Sequence, residues 1–152
     1  MLLNTCKKCI LDDGGCCTSV HITIHKKEAK EFIKIQNNNQ IPSGHSFQID
    51  EDDPNLYTYK SGDDPCMFLD KNQLCEIYEN RPTICRTFPL MWIENKQKLK
   101  YYVDTNCPLY DTNKPYELMK NITNLPYPNL MKKIGELDFD ISDDDYIELN
   151  LI

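Results

Sequence analysis

The chain has no run approaching the roughly 18 apolar residues that a membrane span requires. Its first residues, 1–6, show no basic region followed by an apolar stretch, so no secretory signal is visible. On these two absences the protein is expected to be soluble and cytoplasmic, to have no dealings with a membrane, and to keep its thiols reduced. Clustered basic residues are missing too. The net charge is −7, and Lys7-Lys8, Lys26-Lys27 and Lys132-Lys133 are the only basic pairs. Nucleic acid is thereby excluded as a main partner, since binding to phosphates needs concentrated Lys and Arg. No Ser-His-Asp order, phosphate loop or dinucleotide glycine pattern occurs, and no local motif supports Cys–His nucleophilic catalysis. Histidine is scarce, at three residues. His21 fits the polar face of a strand, His25 the start of a helix and His45 a loop, so none of them is needed as a ligand.

What the sequence does have is cysteine: eight in 152 residues. A chain of this length suits one domain with a modest core, and its 27% charged content limits what it can bury. A staple would help such a chain. In a reducing compartment the staple is metal coordination by thiolates and not a disulfide framework.

The order along the chain places these cysteines on turns and short elements. Residues 6–17 carry four of them around Asp12-Asp13-Gly14-Gly15, a turn-forming composition that folds a ligand loop back on itself. Val20, Ile22 and Ile24 then alternate with His21 and Thr23, the period of a half-buried strand. A helix is predicted from His25 to about Gln36, with an apolar face of Ala29, Phe32, Ile33 and Ile35 and a stop at Asn37-Asn38-Asn39. Residues 37–64 read as an irregular, acidic excursion with one hairpin formed by the alternating pieces 47–49 and 56–59. The segments 66–69 and 74–78 predict a second β-hairpin that brings Cys66 close to Cys75. Pro82 opens a short helix that Pro89 stops, with Cys85 near its N-terminus. A hairpin over 90–103 leads to Cys107-Pro108, and short helices are expected over 116–122 and 130–137. The acidic residues 136–152 form a tail, mobile or an edge strand.

Cys6-Lys7-Lys8-Cys9 has the two-residue gap that lets one tight turn present both sulfurs to a single ion. With Cys16, Cys17, Cys66, Cys75, Cys85 and Cys107 it completes a set of eight candidate ligands, enough for two four-thiolate sites or for one cluster with supporting sulfurs. Adjacent cysteines on extended backbone face opposite ways, which assigns Cys16 and Cys17 to different metals or to different edges of one centre. Individually, Cys17 and Cys107 can also be read as small buried hydrophobes. The chain's two arginines, Arg81 and Arg86, bracket Cys85. A guanidinium there can offset thiolate charge or hold a carboxylate or phosphate of a bound cofactor or substrate. A plain ion pair from Arg81 to Glu76 or Glu79 would equally pin the turn.

The pattern Cys6-x2-Cys9, Cys16-Cys17, Pro65-Cys66-Met67-Phe68-Leu69, Cys75-Glu76-Ile77-Tyr78 and Arg81-Pro82-x2-Cys85-Arg86-x-Phe88-Pro89, with Cys107 beyond, resembles the CxxCxxCC family, which includes the YkgJ-like proteins. The resemblance covers about residues 6–108. In this chain six residues precede the double cysteine, where the family has two, so the first ligand loop is longer. The family is described as zinc- or iron-chelating, and the resemblance extends to the cysteine-rich region of flagellin lysine N-methylase, a much longer enzyme that uses S-adenosylmethionine. It implies a metal-binding protein holding zinc or an iron–sulfur cluster, with the enzymatic relative tilting the choice toward iron–sulfur. The alternative it implies is a metal-dependent enzyme or subunit related to lysine methylation, although only about forty residues follow Cys107 and the chain alone is read as non-catalytic. The expected fold is α+β: a small, irregular, cysteine-rich domain over 1–135, with hairpins and short helices around a metal centre and an acidic surface offered to a protein partner.

Overall fold

Alternation builds the first sheet. Ile24 is fully buried, Val20 nearly so, and Ile22 packs against the same core, so residues at the predicted period form β1 (His21–His25). The computed structural model describes residues 16–87, 90–95, 98–104, 107 and 146–149, which divide between two units, Met1–Arg86 and Thr87–Ile152. In the first unit β2 (Ser46–Ile49) and β3 (Leu56–Lys60) make the expected hairpin. β3 also pairs antiparallel with β1, giving the order β1-β3-β2. As the central strand β3 has a neighbour on each edge, and its Leu56, Tyr57 and Tyr59 are all buried. The acidic turn between β2 and β3 is held by Asp50, whose Oδ1 accepts from the N–H groups of Asp52 (3.0 Å) and Asp53 (3.1 Å).

The helix predicted from His25 is interrupted. A 3-10 turn, Lys26–Glu28, comes first, and α1 (Lys30–Asn37) begins after Ala29. His25 Nδ1 accepts from the Lys27 N–H at 3.2 Å, so this histidine caps the turn. The Lys26 N–H bonds the Asn55 carbonyl at 2.7 Å, a contact from the β2–β3 loop that ties the turn to the sheet. α1 places Phe32 at the centre of the core, with ring centroids 5.5 Å from Phe47, 5.2 Å from Tyr59 and 4.7 Å from Phe68. It ends where expected, with Asn39 in the left-handed region at φ 55°.

The predicted hairpin over 66–78 is only partly formed. The chain does turn back, but its pairing shrinks to a single bridge between Leu69 and Cys75. Asp70 Oδ1 accepts from the N–H groups of Asn72 (2.7 Å) and Leu74 (2.9 Å) and closes the polar stretch into a tight turn. At the open end the groups that the next rung would use go elsewhere, the Cys66 N–H to the Cys17 carbonyl (2.8 Å) and the Tyr78 N–H to the Cys75 carbonyl (3.3 Å). Beyond a second 3-10 turn, Tyr78–Asn80, Pro82 leads into α2 (Thr83–Thr87).

In the second unit β4 (Leu90–Asn95) and β5 (Lys98–Asp104) form the predicted hairpin, and β6 (Tyr146–Leu149) from the acidic tail adds to β5 as an edge strand. The short helices expected over 116–122 and 130–137 lie outside the described residues. Antiparallel sheets with a few short helices make this a small α+β protein, as the sequence predicts.

Candidate metal centre

The β1–β3 register decides where Cys17 goes. Pairing continues past the strand ends, with the Ser61 N–H donating to the Val20 carbonyl (2.9 Å) and the Cys66 N–H to the Cys17 carbonyl (2.8 Å). The buried Ser61 hydroxyl accepts from the Val20 N–H at 2.8 Å and holds the two segments together. Cys17 and Cys66, 49 positions apart in the chain, are thereby made backbone neighbours. The Asp70 turn and the Leu69–Cys75 bridge bring Cys75 back toward Cys66.

Cys85 is delivered from a third direction. Glu28, its side chain 10% exposed, accepts from the Thr83 N–H at 3.1 Å, from the Thr83 hydroxyl, and from Arg86 Nη2 at 2.9 Å. One carboxylate thus binds the first turn of α2 to the end of the 3-10 turn and fixes Cys85 between them. Replacing Glu28 by Ala leaves two donors of the buried Thr83 without an acceptor, which is expected to cost about 1–3 kcal/mol. Glu28→Gln, which keeps a carbonyl acceptor, is expected to cost less, because Arg86 is half-exposed and its ion pair is screened. Urea denaturation of the two variants measures the difference, and equal losses would remove Thr83 from the account.

The thiols gathered in this way act on one another. Burial pushes Cys85 well above the ordinary thiol range, and the charges of Cys17, Cys66 and Cys75 push it further; Arg81 pulls the other way. Cys66 is pushed up to about 11, by burial first and then by Cys17 and Cys75, against hydrogen bonds from the Phe68 backbone and the Tyr59 hydroxyl. Cys17 moves down, to about 7, through a hydrogen bond from Cys16 and then the charge of Arg81, with burial opposing. Four sulfurs from three chain segments therefore share one neighbourhood in which their negative charges conflict. Among the described residues no group of three Cys, His, Asp or Glu side chains is already arranged to hold a metal ion. The donor set nevertheless has the chemistry of a thiolate site, four sulfurs with one adjacent guanidinium, and it fits zinc and iron–sulfur alike.

The other candidates fall as follows. Cys16 is exposed beside Cys17. Cys107 is buried in the second unit. Cys6 and Cys9 lie outside the described residues. Arg81 pins its turn through Tyr78, with Nε donating to the Tyr78 carbonyl at 2.9 Å and the guanidinium carbon 3.8 Å from the ring centroid. Arg86 is engaged by Glu28. Both arginines line an open cavity of about 410 Å³ together with Lys27, Lys30 and Glu79. His21 is exposed on β1, opposite Lys60. His45 is a buried partner of Tyr59. Sequence reasoning passed over Tyr59 and Glu28 and set His45 aside as a loop residue, and their partners lie 8 to 58 positions distant. Nothing in their immediate neighbours signals them.

A family model named CxxCxxCC, described as "Putative zinc- or iron-chelating domain", matches residues 5–108, a span that contains all eight cysteines. No curated protein and no solved structure matches the chain.

Proposed function

The chain belongs to the CxxCxxCC family of zinc- or iron-chelating domains, and from that premise we propose that it is a metal-binding protein whose principal centre is held by Cys17, Cys66, Cys75 and Cys85. The observation that carries this reading is the convergence of these four thiols from three separate chain segments. Gathering four half-buried ionisable sulfurs in one neighbourhood is unfavourable for the protein alone, since each raises the cost of ionising the next. A cation reverses the sign of that interaction, which accounts for a fold that assembles them.

Cys6, Cys9 and Cys16 are the remaining donors of the first unit and would serve a second centre or complete the first, and Cys107 is a further candidate donor in the second unit. When bound, zinc supplies a closed tetrahedral crosslink and an iron–sulfur cluster a redox-active one. Arg86 is already paired with Glu28 and Arg81 is stacked on Tyr78, which favours structural roles for both and a non-catalytic module.

Protein purified without air is expected to contain zinc or iron near stoichiometry, and Cys85→Ser is expected to lose most of it. A brown colour with visible absorbance identifies iron–sulfur; a colourless, zinc-loaded protein identifies zinc. Because Cys66 and Cys85 are held neutral in the metal-free fold, loading must release protons, so affinity falls as the pH is lowered. A metal-free preparation in which the cysteines are oxidised to disulfides would sink the proposal.

A further inference from the structure

The open cavity of about 410 Å³ lies where the 3-10 turn Lys26–Glu28 and the start of α1 meet the turn Tyr78–Asn80 and α2. Seven of its eight lining residues are charged, so it suits no apolar ligand. Four of the seven are cations, in a chain whose net charge is −7. Carboxylates are plentiful enough to neutralise them, yet among the described residues only Arg86 of these four has one, the Glu28 of the pair described above. Lys27, Lys30 and Arg81 form no ion pair with any described carboxylate, although Glu31 and Glu79 line the same space. Two exposed lysines without partners are ordinary, and Arg81 is the built part of the site. It is half-buried, its Nε donates to the Tyr78 carbonyl at 2.9 Å, and its guanidinium stacks 3.8 Å from the Tyr78 ring centroid. The plane is thereby fixed, and the remaining donors, on Nη1 and Nη2, have no acceptor among the described residues.

We propose that this cavity binds the phosphoryl group of a small hydroxylated molecule, with the Nη edge of Arg81 as the fork and Lys27 and Lys30 as the accompanying charges. Three cations exceed what the single charge of a carboxylate would match, and a phosphoryl dianion also has the oxygens to take two parallel bonds from a guanidinium. Because Tyr78 already holds the guanidinium in place, binding does not have to order it. The acidic residues define the rest of the ligand. Glu28 is neutralised by Arg86 and by two donors of Thr83, but Glu31 and Glu79 remain. A carboxylate repels a phosphoryl oxygen and accepts from a hydroxyl, so the ligand carries O–H groups beside its phosphoryl group. The volume lies inside the roughly 300–1,000 Å³ of small-molecule sites. Arg81 keeps its structural part through Nε and its stacked face while the opposite edge binds, and no thiol takes part. The site therefore stands apart from the metal centre and adds a binding activity to a non-catalytic module.

The test titrates glycerol phosphate, inorganic phosphate and glycerol into the full chain as purified, by calorimetry at low ionic strength, with metal content measured in every sample. Glycerol phosphate is expected to saturate one site, to bind more tightly than inorganic phosphate, and to weaken as salt is added. Glycerol is expected to give no heat of binding. Arg81→Gln should lower the affinity roughly ten- to hundred-fold, the usual effect of losing hydrogen bonds to a charged group. Arg81→Lys, which keeps the charge and loses the fork, should recover only part of it. Lys30 is exposed, so Lys30→Met probes the site without endangering the fold and should weaken binding several-fold. Lys60→Met, on β3 and not lining the cavity, should leave it unchanged. Absence of phosphate binding to the parent overturns the proposal, as does binding that survives unaltered in both Arg81→Gln and Lys30→Met. Should Arg81→Gln not fold, Arg81→Lys and Lys30→Met decide. Equal affinity for the two phosphates overturns the part given to Glu31 and Glu79. None of these results bears on the metal centre, and a chain that binds no zinc and no iron overturns the centre without touching this site.

Discussion

Stripping the metal with a chelator under anaerobic conditions is expected to abolish most of the far-ultraviolet circular dichroism of residues 16–87. The four thiols belong to the segment before β1, to the Asp70 loop and to α2; of the contacts described above, the Cys17–Cys66 backbone bond joins the first two and the Glu28 carboxylate ties α2 to the turn after β1. A structural zinc site contributes on the order of 10 kcal/mol. That is comparable to the whole stability of a small domain, roughly 5–15 kcal/mol. Once the cation is gone, the buried thiols also lose the charge that made their crowding favourable, so the metal-free fold carries a penalty as well as a lost crosslink. The comparison is decisive only in a sample shown by elemental analysis to be metal-free. An unchanged spectrum in such a sample would mean that the hydrophobic core alone sustains the fold.

The second large effect lies in that core. Phe32→Ala is expected to destabilise the metal-loaded protein by about 3–5 kcal/mol, the usual cost of removing a buried aromatic ring. Phe32 is 1% exposed and meets three other rings, from β2, from β3 and from the segment carrying Cys66. Truncation opens a cavity at the junction of the sheet, α1 and the ligand loop, and surroundings anchored on several sides collapse poorly into it. Metal retention should fall along with stability, since an ion that binds only the folded chain is linked to folding. Ile49, at 56% exposure, is the control, and its replacement by Ala should shift the denaturation midpoint by less than about 0.5 kcal/mol. A comparable, small change for both variants would remove Phe32 from the centre of the core.

Both expectations draw on elements that were unequally legible in the sequence. The period of Val20, Ile22 and Ile24 identified β1, the alternating pieces 47–49 and 56–59 identified the β2–β3 hairpin, and the β4–β5 hairpin was readable in the same way, because a half-buried strand writes its two faces into alternate residues. The break at Ala29 was not legible. It depends on Asn55, 29 positions beyond the Lys26 whose N–H it receives, and helical periodicity carries no record of so distant a partner. The shrinking of the 66–78 hairpin to a single bridge was missed because the donors that further rungs would have used went elsewhere, the Tyr78 N–H to the nearby Cys75 carbonyl and the Cys66 N–H to the distant Cys17 carbonyl.

The sequence by itself determined that thiolate chemistry dominates this protein, since cysteine number and spacing and the Cys85 environment are properties of the chain's order. It also determined the α+β class, which follows from residue periodicity. Only the tertiary structure decided which cysteines are brought near one another. Cys17 reaches Cys66 because β1 and β3 pair in one register, and a one-residue slip would turn every side chain of β1 to the other face. Cys85 arrives because Glu28 binds Thr83, and His45 meets Tyr59 across 14 positions of the chain. These are long-range contacts, and their energies belong to pairs of residues that no local window contains.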